Sequence, residues 1–126
     1  MQKRDSRPLV WIFGNDPDLS EILAYFATEE GYDALSISTL EEACVALEKV
    51  EMDVERAPAN VIRFGELAEE TIEWLLQVRR TVISATILCV SNKPDGEVAR
   101  RLTGAGIATA PRPSTLSDVL RLLFPA

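Results

Sequence analysis

The segment LVWIFGNDP, residues 9–17, passes from five apolar residues straight into a polar turn. A strand that is apolar at every position must be covered on both faces, so this run predicts a central strand of a largely parallel sheet. The turn then lies at the carboxyl end of that strand, where open α/β sheets hold their ligand crevice. Asp16-Pro17 also begins a helix, because an acceptor side chain precedes a proline at the first helical position.

The rest of the chain repeats this alternation of strand and helix. Further strands are predicted at 33–38, 60–64, 85–90 and 107–110, and helices are predicted to follow each strand, the third at 66–80 and the fifth after residue 115. Right-handed crossovers fold such a chain into three layers. We therefore predict an α/β fold with a doubly wound, five-stranded parallel sheet. A flexible segment at 1–7 precedes a single domain at 8–126.

Composition and charge narrow the classes of partner. Hydrophobic residues make up 47% and charged residues 26% of the chain, as in ordinary globular domains. Thirteen basic residues against 20 acidic ones give a net charge of −7, which disfavours binding to nucleic acid or to anionic membrane surfaces. The polar first seven residues have no apolar run of signal-peptide length behind them, so we expect a cytoplasmic protein.

Two residue types that often carry side-chain catalysis are absent or rare. The chain has no histidine, which excludes histidine-dependent hydrolysis and histidine metal sites. Cys44 falls in a predicted helix and Cys89 in a predicted buried strand, without CxxC spacing, so both are interpreted as buried small hydrophobic residues. The sequence therefore predicts no enzyme activity, no metal and no cofactor.

Three features along the five strand–helix units carry a resemblance to a known family. They are Asp16-Pro17 at the first helix, the strand 87–91 and the run from Gly104-Ala105-Gly106 to Arg112-Pro113-Ser114. In this order and spacing they resemble the receiver domain of two-component signalling, over about residues 8–124. The resemblance implies a flavodoxin-like, CheY-like sheet with the strand order 2-1-3-4-5 and helices on both faces.

The resemblance also identifies where the family's Mg²⁺ ligands would be. In receivers the first strand ends in two acidic residues that bind Mg²⁺, an ion that prefers oxygen ligands. Those positions fall on Gly14 and Asn15, and neither supplies a carboxylate. Asp16 stands where many receivers have a further acidic residue, and there it mostly caps the helix.

The remaining family positions are altered as well. The aspartate that accepts phosphate falls on Gly65, or on Phe64 if the third strand is aligned one residue earlier. Ser91 matches the position where the family has a hydroxyl. Arg112 stands where the family has lysine, so a planar guanidinium replaces a compact ammonium group. No aromatic residue stands near Thr109, where the family usually has a Tyr or Phe that rotates on activation. These changes predict a vestigial phosphorylation pocket.

The sequence thus favours a pseudo-receiver that binds a protein partner without phosphorylation. In receivers the fourth helix, fifth strand and fifth helix usually form the interaction face. That face would carry Arg100, Arg101, Asp118 and Arg121. The expected partner is another signalling protein or a second copy of this chain.

An alternative function uses the crevice instead of the surface. The polar turn at Gly14-Asn15 has the position of a phosphate-binding loop but lacks its glycines, and Ser91 could add a hydroxyl. A small nucleotide- or anion-binding domain of flavodoxin-like fold therefore stays open at this point.

Single residues around the pocket leave two further alternatives. Arg63 either reaches into the pocket and neutralises Asp16 or Glu66, or turns to solvent. Glu66 is either an acidic substitute for aspartyl phosphate or part of the acidic first turn of the third helix, which the helix dipole favours. Trp11 and Trp74 are interpreted as core residues.

Overall fold

Five parallel strands form one sheet in this computed structural model, which describes residues 7–91, 96–111, 118–119 and 121. The strands are β1 (Leu9–Phe13), β2 (Asp33–Ile37), β3 (Asn60–Phe64), β4 (Thr86–Ser91) and β5 (Ala108–Pro111). Their order is β2-β1-β3-β4-β5, which confirms the predicted topology and places β2 at an edge. The described helices are α1 (Pro17–Glu29), α2 (Leu40–Met52), α3 (Glu69–Thr81) and α4 (Gly96–Gly104), and a short 3-10 helix covers Val54–Arg56.

Side-chain caps begin the first two helices as the sequence predicts. The Asp16 carboxylate accepts a hydrogen bond of 3.2 Å from the Leu19 amide, with proline at the first helical position. At α2 the Thr39 hydroxyl oxygen accepts 3.1 Å from the Glu42 amide. The Glu42 carboxylate in turn accepts 2.8 Å from the Ser38 amide. These bonds satisfy amides that the first turn of a helix leaves without partners.

Alternation along β1 divides the core between the two faces of the sheet. Trp11 and Phe13 lie with the core residues of α2 and α3, and Val10 and Ile12 lie on the other face with those of α1. The Trp11 and Trp74 rings stack with centroids 5.9 Å apart. Both tryptophans are buried, which confirms them as core residues. Between its two covered faces, β1 is the central strand that its sequence predicts.

Four sequence predictions need correction or fall outside the described part of the chain. Helix α3 begins at Glu69, so Glu66 lies in the preceding loop and the acidic first turn consists of Glu69 and Glu70. Cys44 is exposed, whereas Cys89 is buried as predicted. The predicted fifth helix lies outside the described residues, except for helical residues 118–119 and 121. Arg112 lies outside them entirely.

Arg7 contacts the folded domain, although the sequence assigned it to the flexible segment. Its guanidinium donates to the main-chain oxygens of Gly31 and Thr28, at 3.3 and 3.2 Å, and so binds the carboxyl end of α1. None of the helices in the described part of the chain combines the length and hydrophobicity that crossing a membrane requires.

Candidate functional site

Gly14 and Phe64 meet at the carboxyl edge of the sheet. Gly14 directly follows β1, and Phe64 is the last residue of the neighbouring strand β3. The Phe64 ring lies so close that a Cβ atom on Gly14 would come within 3.0 Å of three ring atoms. Phe64 is only 2% exposed, so the ring has little room to move aside. The ring therefore occupies the space that a side chain at residue 14 would need.

The backbone holds both partners of this contact. The Gly14 amide donates 3.0 Å to the Ile37 carbonyl of β2, and the Gly65 amide donates 3.2 Å to the Val90 carbonyl of β4. Gly65 has a φ of 118°, a conformation that favours glycine, and it lies just beyond the end of β3. Each of the two turns that leave β1 and β3 is thus bonded to a neighbouring strand of the sheet.

The residues at this edge do not fit the Mg²⁺ that the resemblance to receivers implies. Gly14 has no side chain, Asn15 offers a single amide oxygen, and Phe64 offers none. Asn15 and Asp16 are exposed, and Asp16 is engaged in capping α1. Within the described residues, no cluster of three or more His, Cys, Asp or Glu side chains could hold a metal ion. Hard cations need several oxygen ligands, and the described residues at this edge do not supply them.

Ser91 lies at the end of β4, close in register to this contact. Phe64 pairs with Val90, so Ser91 is one residue beyond the partner of Phe64. It is 5% exposed and pairs with Pro111 of β5. Of the predicted pocket residues, the sheet therefore brings Gly14, Phe64, Gly65 and Ser91 to one edge, whereas Arg112 falls outside the described residues.

Arg63 takes neither orientation that the sequence suggested. Its guanidinium lies over the Phe13 ring, 4.3 Å from the centroid, and donates 2.7 Å to the main-chain oxygen of Glu66. No carboxylate in the described part of the chain pairs with it, and its buried Nε has no hydrogen-bond acceptor there. Burial lowers the pKa of Arg63. Burial also raises the pKa of Cys89, its partner in register on β4, to about 11.

A cavity of about 520 Å³ opens beside Gly14 and Asn15. Its lining consists of Gly14, Asn15, Pro17, Ser20, Glu21, Ala24, Ser36 and Ser38. The one charged side chain in this lining is the carboxylate of Glu21, and Ser91 is not part of it. An acidic group repels a phosphate or another anion. The lining therefore gives no support to the anion-binding alternative.

The predicted partner-binding residues differ in how they are held. Arg101 of α4 forms a two-bond contact with the Glu69 carboxylate of α3, at 3.2 and 3.1 Å. These hydrogen bonds lower the pKa of Glu69 and raise the pKa of Arg101. Arg121 lies 3.8 Å from Asp118. Arg100 is exposed on α4.

Comparisons with known proteins find similarity at the level of structure. No family model and no curated protein matches the sequence. The non-phosphorylated HemR receiver domain from Leptospira biflexa matches with a TM-score of 0.73 and 17% identity, over 94% of this chain and 96% of that chain. A response regulator receiver protein from Pseudomonas putida matches at 0.71 and 22%, over 92% and 94% respectively.

A third match is a response regulator from Burkholderia pseudomallei, whose structure contains a phosphorylated aspartic acid, a calcium ion and citrate. It has a TM-score of 0.72 and 13% identity, over 94% of this chain and 67% of that chain. At these identities the likeness is one of fold. The chain has the CheY-like receiver fold, with five parallel strands in the order 2-1-3-4-5.

Proposed function

We propose that this chain is a receiver-type module of two-component signalling that acts without phosphorylation. The observation that carries the proposal is the contact between Gly14 and Phe64. Phe64 ends β3 and Gly65 follows it, and neither of these two candidates for the position of the receivers' phosphate-accepting aspartate carries a carboxylate. A phenyl ring has no nucleophilic oxygen to attack phosphorus and no lone pair to bind Mg²⁺.

The same contact explains how this edge of the sheet is stable without the charged groups that receivers carry there. Phosphoryl transfer depends on positioned charges that surround the phosphoryl oxygens. At this edge an apolar ring packs on a glycine, and the ring is shielded from water. Burial of a phenylalanine side chain contributes about 1.5–3 kcal/mol to stability, so Phe64 supports the edge through packing.

The proposed output is binding of a cytoplasmic signalling protein or self-association. The proposed surface comprises α4, β5 and the helical residues that follow, with Arg100, Arg101, Asp118 and Arg121 at its charged positions. The two-bond contact with Glu69 holds the Arg101 guanidinium in one orientation. Charges at the rim of an interface mainly set association rate and specificity, so we expect binding to weaken with salt.

The phosphorylation-independent part is tested by NMR titration with beryllofluoride and Mg²⁺. We expect no saturable amide shifts at Gly14, Gly65 or Ser91. The Burkholderia pseudomallei regulator serves as a positive control, because its structure contains a phosphorylated aspartate. Saturable shifts at those three amides under conditions that also shift the control would refute the proposal.

The partner surface is tested separately by charge reversal. Arg100→Glu is expected to weaken partner binding or self-association, as measured by sedimentation at low and high salt. The matched control is Arg80→Glu, since Arg80 is an exposed arginine on α3. If both variants bind as tightly as the unmodified chain, the proposed surface is wrong, whatever the outcome of the titration.

A further inference from the structure

A second cavity, of about 770 Å³, is a groove between the edge strand β2 and helix α2. Its apolar lining comprises Leu9, Trp11, Leu35, Ile37, Val45 and Ala46, and neither Gly14 nor Phe64 contributes to it. Leu35 is 40% and Val45 46% exposed, although both are large apolar residues. The volume lies within the range of about 300–1,000 Å³ that is typical of small-molecule sites.

Trp11, a residue of the groove lining, carries an unused hydrogen-bond donor. Its indole Nε1 is buried and has no acceptor in the described part of the chain. By contrast, Trp74, which stacks on Trp11, donates its indole N–H to the Ala43 carbonyl at 3.0 Å. Buried tryptophan N–H groups usually find a partner. The lining of this groove therefore favours a ligand that carries a hydrogen-bond acceptor.

The charged residues of the groove favour an anionic ligand at one end. Arg56 lies 3.6 Å from the Asp53 carboxylate, and the Glu42 carboxylate accepts the Ser38 amide. Lys49 forms no ion pair within the described residues. It lies seven residues after Glu42 and eight after Glu41, which is about 10 and 12 Å further along the helix. An anion can thus bind Lys49 at a distance from both carboxylates.

We propose that this groove binds a small monocarboxylate with an apolar chain. The apolar chain packs against Leu35 and Val45. The carboxylate provides acceptor oxygens for the Trp11 indole and a negative charge for Lys49. Such a ligand supplies a hydrogen-bond acceptor, a negative charge and an apolar surface that match the lining. None of the predicted pocket residues that the structure describes lines the groove.

The test is an NMR titration with octanoate that follows the two indole N–H signals. The Trp11 signal is expected to move with saturation, because its N–H gains an acceptor. The Trp74 signal, already bonded to Ala43, is expected to stay in place. Octanol, which lacks the charge, is expected to bind about tenfold more weakly. No saturable shift of Trp11, or equal binding of octanol, would overturn the proposal.

Two variants locate the site. Lys49→Glu is expected to weaken octanoate binding by about tenfold or more, and Val45→Glu is expected to abolish it. Both residues are exposed, so the variants should fold, which circular dichroism checks. Ile83→Glu, at a residue that is 82% exposed and outside the groove, is the matched control. The proposal would be overturned if Lys49→Glu bound octanoate with unchanged affinity. It would also be overturned if an extended peptide shifted the β2 amides with saturation while octanoate had no effect.

Discussion

Replacing Gly14 by alanine is the most direct test of the packing at the edge of the sheet. The new Cβ would lie within 3.0 Å of three atoms of the buried Phe64 ring. Gly14 is not among the glycines with positive φ, so backbone strain adds no cost. Overpacking of this kind costs about 1–3 kcal/mol. Overlap with three atoms of a buried ring places the cost in the upper part of this range, at about 2–3 kcal/mol. Alanine also restricts the unfolded chain, which offsets about 0.4–1 kcal/mol, so we expect a net loss of about 1–2.6 kcal/mol.

A double-mutant cycle separates this overlap from other effects of the substitution. Phe64→Ala alone is expected to cost about 3–5 kcal/mol, as is usual for a buried phenylalanine. In that background Gly14→Ala should cost nothing, because the ring that it would overlap is gone. The resulting coupling energy is expected to be about 1–3 kcal/mol. Gly104→Ala is the control, since a Cβ there meets nothing within 4 Å.

Urea unfolding followed by circular dichroism and tryptophan fluorescence measures each free energy of unfolding. Gly104→Ala should leave this free energy unchanged or raise it slightly, because alanine is the better helix former. The reasoning would be refuted if Gly14→Ala cost less than about 0.5 kcal/mol, the usual error of additivity, or cost the same with and without Phe64.

Three further predictions concern the thiols and one ion pair. Because Cys44 is exposed and Cys89 is buried, an aromatic disulfide reagent should modify Cys44 quickly in the native protein and Cys89 only after unfolding. Fast modification of both thiols in the native protein would contradict the structure. Burial raises the pKa of Cys89 from its ordinary 9.0 to about 11, so between these values the unfolded chain loses a proton that the folded chain retains. The free energy of unfolding should therefore fall as pH rises through this window, by up to about 2.7 kcal/mol. Cys89→Val should remove this part of the fall and Cys44→Ser should keep it, and identical pH profiles would argue against burial as the cause. Arg101→Gln removes the hydrogen bonds that lower the pKa of Glu69, so this pKa should rise towards its ordinary value. NMR of the Glu69 carboxyl carbon measures it, and an unchanged pKa would rule out these hydrogen bonds as the cause.

The strands and caps could be predicted because they depend on local patterns. An all-apolar run bounded by a polar turn identifies a central strand, and β1 has the bounds that the sequence predicts. The bounds of β3 agree as well. An aspartate followed by proline begins α1 through a hydrogen bond that spans three residues. Such features require no knowledge of what packs against them.

The errors occur where a long-range contact or a helix face decides the outcome. Ala43 and Ala46 point into the core, and Cys44 follows Ala43 by about 100° around α2, which turns it to solvent. The tendency of cysteine to be buried misled the prediction. Glu66 stays outside α3 because Gly65 leaves the sheet with positive φ and Arg63 binds the Glu66 carbonyl. The rules that predict the start of a helix from sequence do not include a contact from an arginine on the preceding strand.

The contact between Gly14 and Phe64 shows why the pocket could not be understood one position at a time. In the sequence, Gly14 and Phe64 are two separate positions at which the functional side chain of a receiver is missing. The register pairs Phe13 with Arg63, so the next residue of each strand lies at the same edge. There the glycine accommodates the ring. An aspartate at residue 14 alone would overlap Phe64, and an aspartate at residue 64 alone would leave a cavity and a poorly solvated charge. Either single substitution is therefore expected to be costly, because each of the two residues fits the other.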